Sequence, residues 1–175
     1  LLKDVNGTNK NYVLYSDNFG QTWDVLGGVH SAPVPSGADE PKTEELPDGS
    51  VLISSRVGGG RYFNIFHFTD PAKAQGSWGT VAFSGASNNG VAVQSASCNG
   101  EALMLPAKRV ADGKHVWLAL QSLPTASSRA RVGVSYKELA SLADFYTADG
   151  YARDWDGGKI VSKLGSAYST LQWLP

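Results

Sequence analysis

Glu40 and Arg56 have the residue types and the spacing to do chemistry together. A carboxylate exchanges protons, and a guanidinium grips an oxyanion through a planar fork of N–H groups. They lie sixteen positions apart in residues 39–56, DEPKTEELPDGSVLISSR. That stretch reads as a hairpin. Residues 42–46 form one extended run, Pro47-Asp48-Gly49-Ser50 is a turn in which Gly49 supplies positive φ, and residues 51–56 form the second run. Antiparallel neighbours lie about 5 Å apart, so the hairpin brings Glu40 and Arg56 together at one rim of a sheet. Taken alone, such a pair reads more readily as a surface ion pair contributing roughly 0–1 kcal/mol.

The other reactive types are sparse. Cys98 is the single cysteine, which excludes an internal disulfide and a cysteine-based metal site and reads as a small buried hydrophobe. His30, His67 and His115 show no metal-ligand spacing, and neither a metal nor another cofactor is expected. The net charge of −1 argues against nucleic acid or an anionic membrane surface as partner. No run of 18 apolar residues suggests membrane insertion, and no signal peptide is visible. Twenty glycines and eight prolines in 175 residues, with abundant Ser, Thr, Trp and Tyr, fit many short strands joined by tight turns.

The elements around the hairpin follow the same pattern. Residues 11–15 are a strand candidate entering Ser16-Asp17-Asn18-Phe19-Gly20-Gln21-Thr22-Trp23. There Asp17 is expected to accept backbone N–H bonds, Gly20 to take positive φ, and Trp23 to fold back over the turn. The octapeptide is read as an Asp-box, the pattern S-x-D-x-G-x-T-W, a structural hairpin signal. Residues 27–38 read as a Gly/Pro/Ser loop, and residues 62–68 as an aromatic strand packed on both faces. Thr69-Asp70 and Gly76-Ser77-Trp78 read as a degenerate second box, starting 53 residues after the first. A third unit begins at Val134-Ser135-Tyr136. An imperfect period of roughly 50–65 residues with four short strands per unit is a β-propeller signature. Further strands are expected over 92–96, 101–106, 115–122 and 131–136. A helix is expected over 137–145 on the apolar face of Leu139, Leu142 and Ala143, within a helix/loop insertion near 137–159. Of Glu44 and Glu45, alternation turns one inward. The chain stops in a probable strand near Trp173, so it reads as part of a larger protein.

With the Asp-box, the hairpin and Ser166-Ala167-Tyr168-Ser169 in view, the sequence resembles the exo-α-sialidases (neuraminidases) of the bacterial and trypanosomal family. Four segments stand in that family's order over about residues 11–173. They are the Asp-box, Glu40-Pro41 with E-L-P-D-G and S-S-R, Arg129-Ala130-Arg131-Val132-Gly133-Val134, and Ser166-Ala167-Tyr168-Ser169. The resemblance implies an all-β, six-bladed β-propeller of four-stranded antiparallel blades. Residues 1–175 would cover about its C-terminal half, some three blades, with the remaining half of the propeller as partner. It implies Tyr168 as nucleophile, Glu40 as its base, and Arg56 and Arg129 as carboxylate clamps, with Arg131 close enough to Arg129 to keep in play. Asp39 stands where many relatives have Asn, and the 39 residues from Arg129 to Tyr168 exceed the usual spacing. The family's first arginine and its acid aspartate match nothing in the chain. The implied activity is hydrolysis of terminal sialic acid from glycoproteins, glycolipids and oligosaccharides, with retention through a covalent sialosyl-tyrosine. A trans-sialidase or a non-catalytic glycan-binding propeller is the alternative. Such substrates imply a secreted, periplasmic or cell-surface protein. Arg61, Gln94, Ser95, Tyr151 and Trp155 are weaker candidates for lining the glycan pocket, since such residues are more often solvated loop or local packing.

Overall fold

The computed structural model describes residues 2–3, 6–91, 98–141, 143 and 146–174. The fold is mostly β, and its sheets are antiparallel throughout. The strand expected over 92–96, and Gln94 and Ser95 with it, lie outside the described residues.

Two larger sheets carry the architecture. In the first, β5 (Asp39–Glu45), β6 (Val51–Val57) and β7 (Gly60–Asp70) are consecutive neighbours. The long β7 then pairs with β8 (Gln75–Trp78) along one end and β9 (Ala82–Gly85) along the other. In the second, β10 (Ala102–Lys108), β11 (His115–Pro124), β12 (Val132–Leu139) and β13 (Gly157–Ile160) form a four-stranded meander. Two small hairpins precede them: β1 (Leu2–Lys3) with β2 (Asn9–Lys10), and β3 (Leu14–Tyr15) with β4 (Asp24–Val25).

The central hairpin forms as its turn chemistry dictates. Gly49 sits at φ +83° and donates its N–H to the Leu46 carbonyl at 2.8 Å, while Asp48 Oδ1 accepts from the Ser50 N–H and hydroxyl. Its two faces bury different partners. Leu52 and Ser54 of β6, with Ile65, Phe63 and Arg61 of β7, face the second sheet, whereas Ile53 packs with Val34 and Ala38 of the preceding loop. The β7 aromatics are therefore buried on both faces, as their run predicts.

The Asp-box turn differs in one residue. Gly20 has φ +82° and the Trp23 indole folds back over it, donating Nε1–H to the Gly20 carbonyl at 3.2 Å. The side chains that hold the turn are Ser16 and Asn18, not Asp17. Ser16 Oγ accepts from the Gly20 N–H at 2.8 Å, and Asn18 Oδ1 from the Thr22 N–H at 2.9 Å. Asn18 occupies the third place of the motif, where an amide oxygen does the work of a carboxylate. Asn18→Ala is expected to lower stability by about 1 kcal/mol in urea unfolding, against no measurable change for Asp17→Ala. In the second box, β7 and β8 are joined by a 3-10 turn, Pro71–Lys73, and the Trp78 indole donates to the Leu26 carbonyl at 3.1 Å.

The helix expected over 137–145 is corrected. Lys137, Glu138 and Leu139 complete β12, opposite Ala119, Leu118 and Trp117, while Leu142, Asp144 and Phe145 lie outside the described residues. Leu139 is fully buried on the strand, so its place is set by pairing with β11 rather than by a local helical face. The helix of the insertion is instead α1 (Ala148–Ala152), where the Thr147 side chain caps the N-terminus and Lys137 Nζ donates to the Gly150 and Arg153 carbonyls. For Tyr151 and Trp155 the packing alternative holds. Both are buried against Phe63, with ring centroids at 4.9 and 6.4 Å, closing the core between the sheets rather than lining a pocket.

Candidate active site

The strands that face the second sheet change character along their length. On β6 the inward row runs Leu52, Ser54, Arg56; on β7, read the opposite way, it runs Ile65, Phe63, Arg61. An apolar core thus passes through a hydroxyl layer into two directly opposed arginines at the rim. Like charges placed opposite each other are unfavourable unless anions stand nearby.

Glu40 supplies one such anion. The β5–β6 register shifts between Asp39, opposite Arg56, and Lys42, opposite Ser54, so two residues of β5 face one of β6. Such a bulge re-aims a side chain. Glu40 sits in it at φ +43°, left-handed backbone for a residue that precedes a proline, a conformation costing on the order of 1–3 kcal/mol. Asp39 Oδ1 holds it by accepting the Glu40 N–H at 2.8 Å.

The strained turn aims the carboxylate between two partners. Its Oε2 forms an ion pair with Arg56, 2.8 Å from Nη1. Its Oε1 accepts the Tyr168 hydroxyl at 2.7 Å across 128 positions of sequence. The Tyr168 ring lies beneath the Arg129 guanidinium, 5.8 Å from carbon to centroid. Tyr168 is 58% exposed, so the phenol is open to a ligand from solvent. The structure therefore brings Glu40, Arg56, Arg129 and Tyr168 into one cluster. Of the two neighbouring arginines, Arg129 stacks on the tyrosine. Arg131, at φ +56°, gives its carbonyl to Thr125 and its N–H to the Leu164 carbonyl, shaping the turn with its backbone.

The electrostatics follow from these contacts. Burial works to raise the Glu40 pKa, but the Tyr168 hydroxyl, the Arg56 guanidinium and the Asn99 N–H outweigh it and hold the carboxyl below its ordinary value of 4.5. The hydrogen bond to Glu40, with that group's negative charge, pushes the Tyr168 phenol above 10 against the opposing pull of Arg129 and Arg56. The resting pair is thus a carboxylate and a neutral phenol.

Arg61 is not a pocket residue. The residue is 1% exposed, its guanidinium donating Nε–H to Ser54 Oγ at 2.5 Å and Nη2–H to the Ser54 carbonyl at 3.0 Å, and burial pushes its pKa down to about 10. It is a cation behind the site, favoured by the Glu40 and Glu101 charges. Sequence reasoning overlooks the layer beneath it. Ser54 Oγ donates to Gln121 Oε1 at 2.8 Å, and Gln121 Nε2 donates to the Glu101 and Ser122 carbonyls. No spacing marks these residues, since Ser54 and Gln121 meet across 67 positions. Of the paired glutamates, Glu44 turns inward. Its Oε1 accepts the Met104 N–H at 2.8 Å, joining the two sheets, and burial raises its pKa.

The sequence matches no protein-family model, and no curated protein matches it.

Proposed function

We propose that this chain is part of an exo-α-sialidase that removes terminal sialic acid with retention, Tyr168 acting as nucleophile and Glu40 as its base. The observation that carries the reading is the 2.7 Å hydrogen bond from the Tyr168 hydroxyl to Glu40 Oε1, beside Arg56 and Arg129. A phenol with a raised pKa is a poor nucleophile unless a base takes its proton as it attacks, and the pair has that geometry.

The substrate's chemistry suits the cluster. Sialic acid carries a carboxylate on its anomeric carbon, so recognition calls for fixed cations, and Arg56 and Arg129 are cations beside an exposed phenol. A charged carboxylate nucleophile approaching that carbon would meet repulsion of roughly 4 kcal/mol at 4 Å and an effective dielectric near 20. Sialidases are the glycosidase exception that uses tyrosine instead.

The ion pair between Arg56 and Glu40 also suggests how binding activates the base. Arg56 is engaged with Glu40 at 2.8 Å. A substrate carboxylate that draws Arg56 toward itself weakens this pairing, so the Glu40 pKa rises and its basicity with it. Tyr168 Oη then bonds to C2 of sialic acid while its proton passes to Glu40 and the glycosidic C–O bond breaks. Water then adds to C2 as the C2–Oη bond breaks, its proton passing to the acid that had protonated the leaving oxygen, while Glu40 returns its proton to the phenol. The acid that protonates the leaving oxygen, and a third arginine, are assigned to blades that would complete a six-bladed propeller with the two meanders of this chain. Secretion or surface display belongs to the same proposal, because sialoglycans lie outside cells.

The test is release of sialic acid from a fluorogenic α-sialoside by the protein that carries this chain, with the product anomer followed by NMR. The α-anomer appearing first supports retention through Tyr168. Initial β-anomer means inversion, and binding of sialic acid without release means a lectin. Arg56→Lys is expected to raise KM by about tenfold with a smaller change in kcat, since charge remains while the bidentate fork is lost.

A further inference from the structure

Tyr168 lies in a segment that forms no regular strand, and individual hydrogen bonds to distant parts of the chain anchor it. On its N-terminal side the Ser166 N–H bonds the Arg129 carbonyl at 2.8 Å, and an isolated bridge joins Ala130 to Gly165. On its C-terminal side Ser169 Oγ donates to Ser122 Oγ at 2.9 Å, and Thr170 Oγ1 donates to Glu101 Oε2 at 2.8 Å. The same Glu101 oxygen accepts Lys42 Nζ at 2.9 Å. Lys42 is two residues beyond Glu40, and Thr170 two residues beyond Tyr168. One carboxylate oxygen therefore makes a second bridge between the two chain segments that the Tyr168–Glu40 hydrogen bond already joins.

We propose that Glu101 is a positioning residue for the Tyr168–Glu40 pair, tying the β5 bulge to the tyrosine segment through Lys42 and Thr170. The side-chain environment suits this role. Glu101 is 15% exposed, compared with 33% for Lys42, so its ion pair with Lys42 is shielded more than an open surface pair. Its backbone is fixed as well, the Glu101 N–H donating to Ser122 Oγ at 2.9 Å and its carbonyl accepting from Ser122 N–H and Gln121 Nε2. A rigid acceptor holding both segments constrains the distance across which the proton must pass. A misplacement near 1 Å is enough to cost about 100-fold in rate. Thr170 and Lys42 touch neither Tyr168 nor Glu40 in any hydrogen bond among the described residues, so they act through the chain.

The proposal rests on the sialidase reading for its catalytic meaning, and the experiment separates the two. Thr170→Val keeps the shape and removes the hydroxyl. It is expected to lower kcat about tenfold with KM held within about twofold, and Thr170→Ser to restore the rate. Glu101→Gln, whose amide keeps one acceptor without the charge, is expected to fall between them. The second readout needs no activity: carboxyl ¹³C NMR titration of glutamate-labelled protein, with the Glu40 signal assigned by Glu40→Gln. In the native protein Glu40 titrates below 4.5, held there in part by the Tyr168 hydroxyl. Thr170→Val loosens that bond, so the midpoint moves up, and Thr170→Ser returns it. An unmoved Glu40 midpoint in Thr170→Val, or a moved midpoint with unchanged kcat, overturns the proposal. A native protein that turns over no sialoside condemns the reading of the reaction, while the Glu40 midpoint still decides the tether.

Discussion

Tyr168→Phe is expected to lower turnover of an activated α-sialoside by about 10⁴-fold or more, with KM within a few-fold of native. The substitution removes a single oxygen. The ring beneath Arg129 is kept, and the segment's anchors through Ser166, Ser169 and Thr170 do not involve the hydroxyl, so the fold is left intact. What disappears is the atom that would bond to the anomeric carbon, the hydroxyl oxygen 2.7 Å from Glu40 Oε1. Steady-state kinetics with a good leaving group make the measurement, because such a substrate lessens dependence on the acid. Activity within about tenfold of native would mean that Tyr168 does not form the covalent bond.

Glu40→Gln is expected to lower kcat by about 10²–10⁴-fold, the range for a positioned general base. Glutamine is nearly isosteric and its amide oxygen still accepts the phenol's hydrogen bond, so the loss isolates proton transfer. The pH profile carries the same information with a definite sign. A base must be ionised, and the Glu40 carboxyl lies below 4.5, so the native kcat/KM falls only as pH drops through that lower value. The phenol, raised above 10, stays neutral across the plateau. Glu40→Gln should abolish the acid limb that belongs to this group. It should also bring the Tyr168 titration back toward 10, because Glu40 is the main cause of its elevation. KM should hold or fall, since Arg56 is no longer shared with a protein carboxylate.

The part of this site written in local chemistry is legible in the sequence. Pro47-Asp48-Gly49-Ser50 can hardly be anything but a turn, and once it closes, the spacing of Glu40 and Arg56 leads to the 2.8 Å ion pair. Two features escape. The bulge that aims Glu40 depends on pairing with β6, and a carboxylate in left-handed backbone before Pro41 runs against local preference. The meeting of Glu40 with Tyr168 over 128 positions leaves no trace in spacing, and only the resemblance points to it. The same division explains the misreadings. KELASLADF carries apolar residues at helical spacing, yet Leu139 is claimed by Trp117 across the sheet, a long-range contact that a short window cannot see. Asp17 and Asn18 are adjacent and chemically alike at a turn, and only the bond from Thr22 N–H identifies Asn18 as the working residue. Tyr151 and Trp155 look like exposed loop aromatics until Phe63 is placed beneath them. Arg61 follows a glycine run, where an exposed cation is the ordinary expectation, but the β6–β7 register sets it opposite Arg56 and inside the protein.

The central claim is a covalent bond from Tyr168 to sialic acid. Its most direct test is to incubate the protein that carries this chain with a 3-fluoro-sialosyl fluoride, digest it, and map the modified peptide by mass spectrometry. The account predicts a fluorosialosyl adduct on the peptide containing Tyr168 and none in Tyr168→Phe. An adduct on a different residue, or sustained sialoside turnover with no adduct at all, would contradict it.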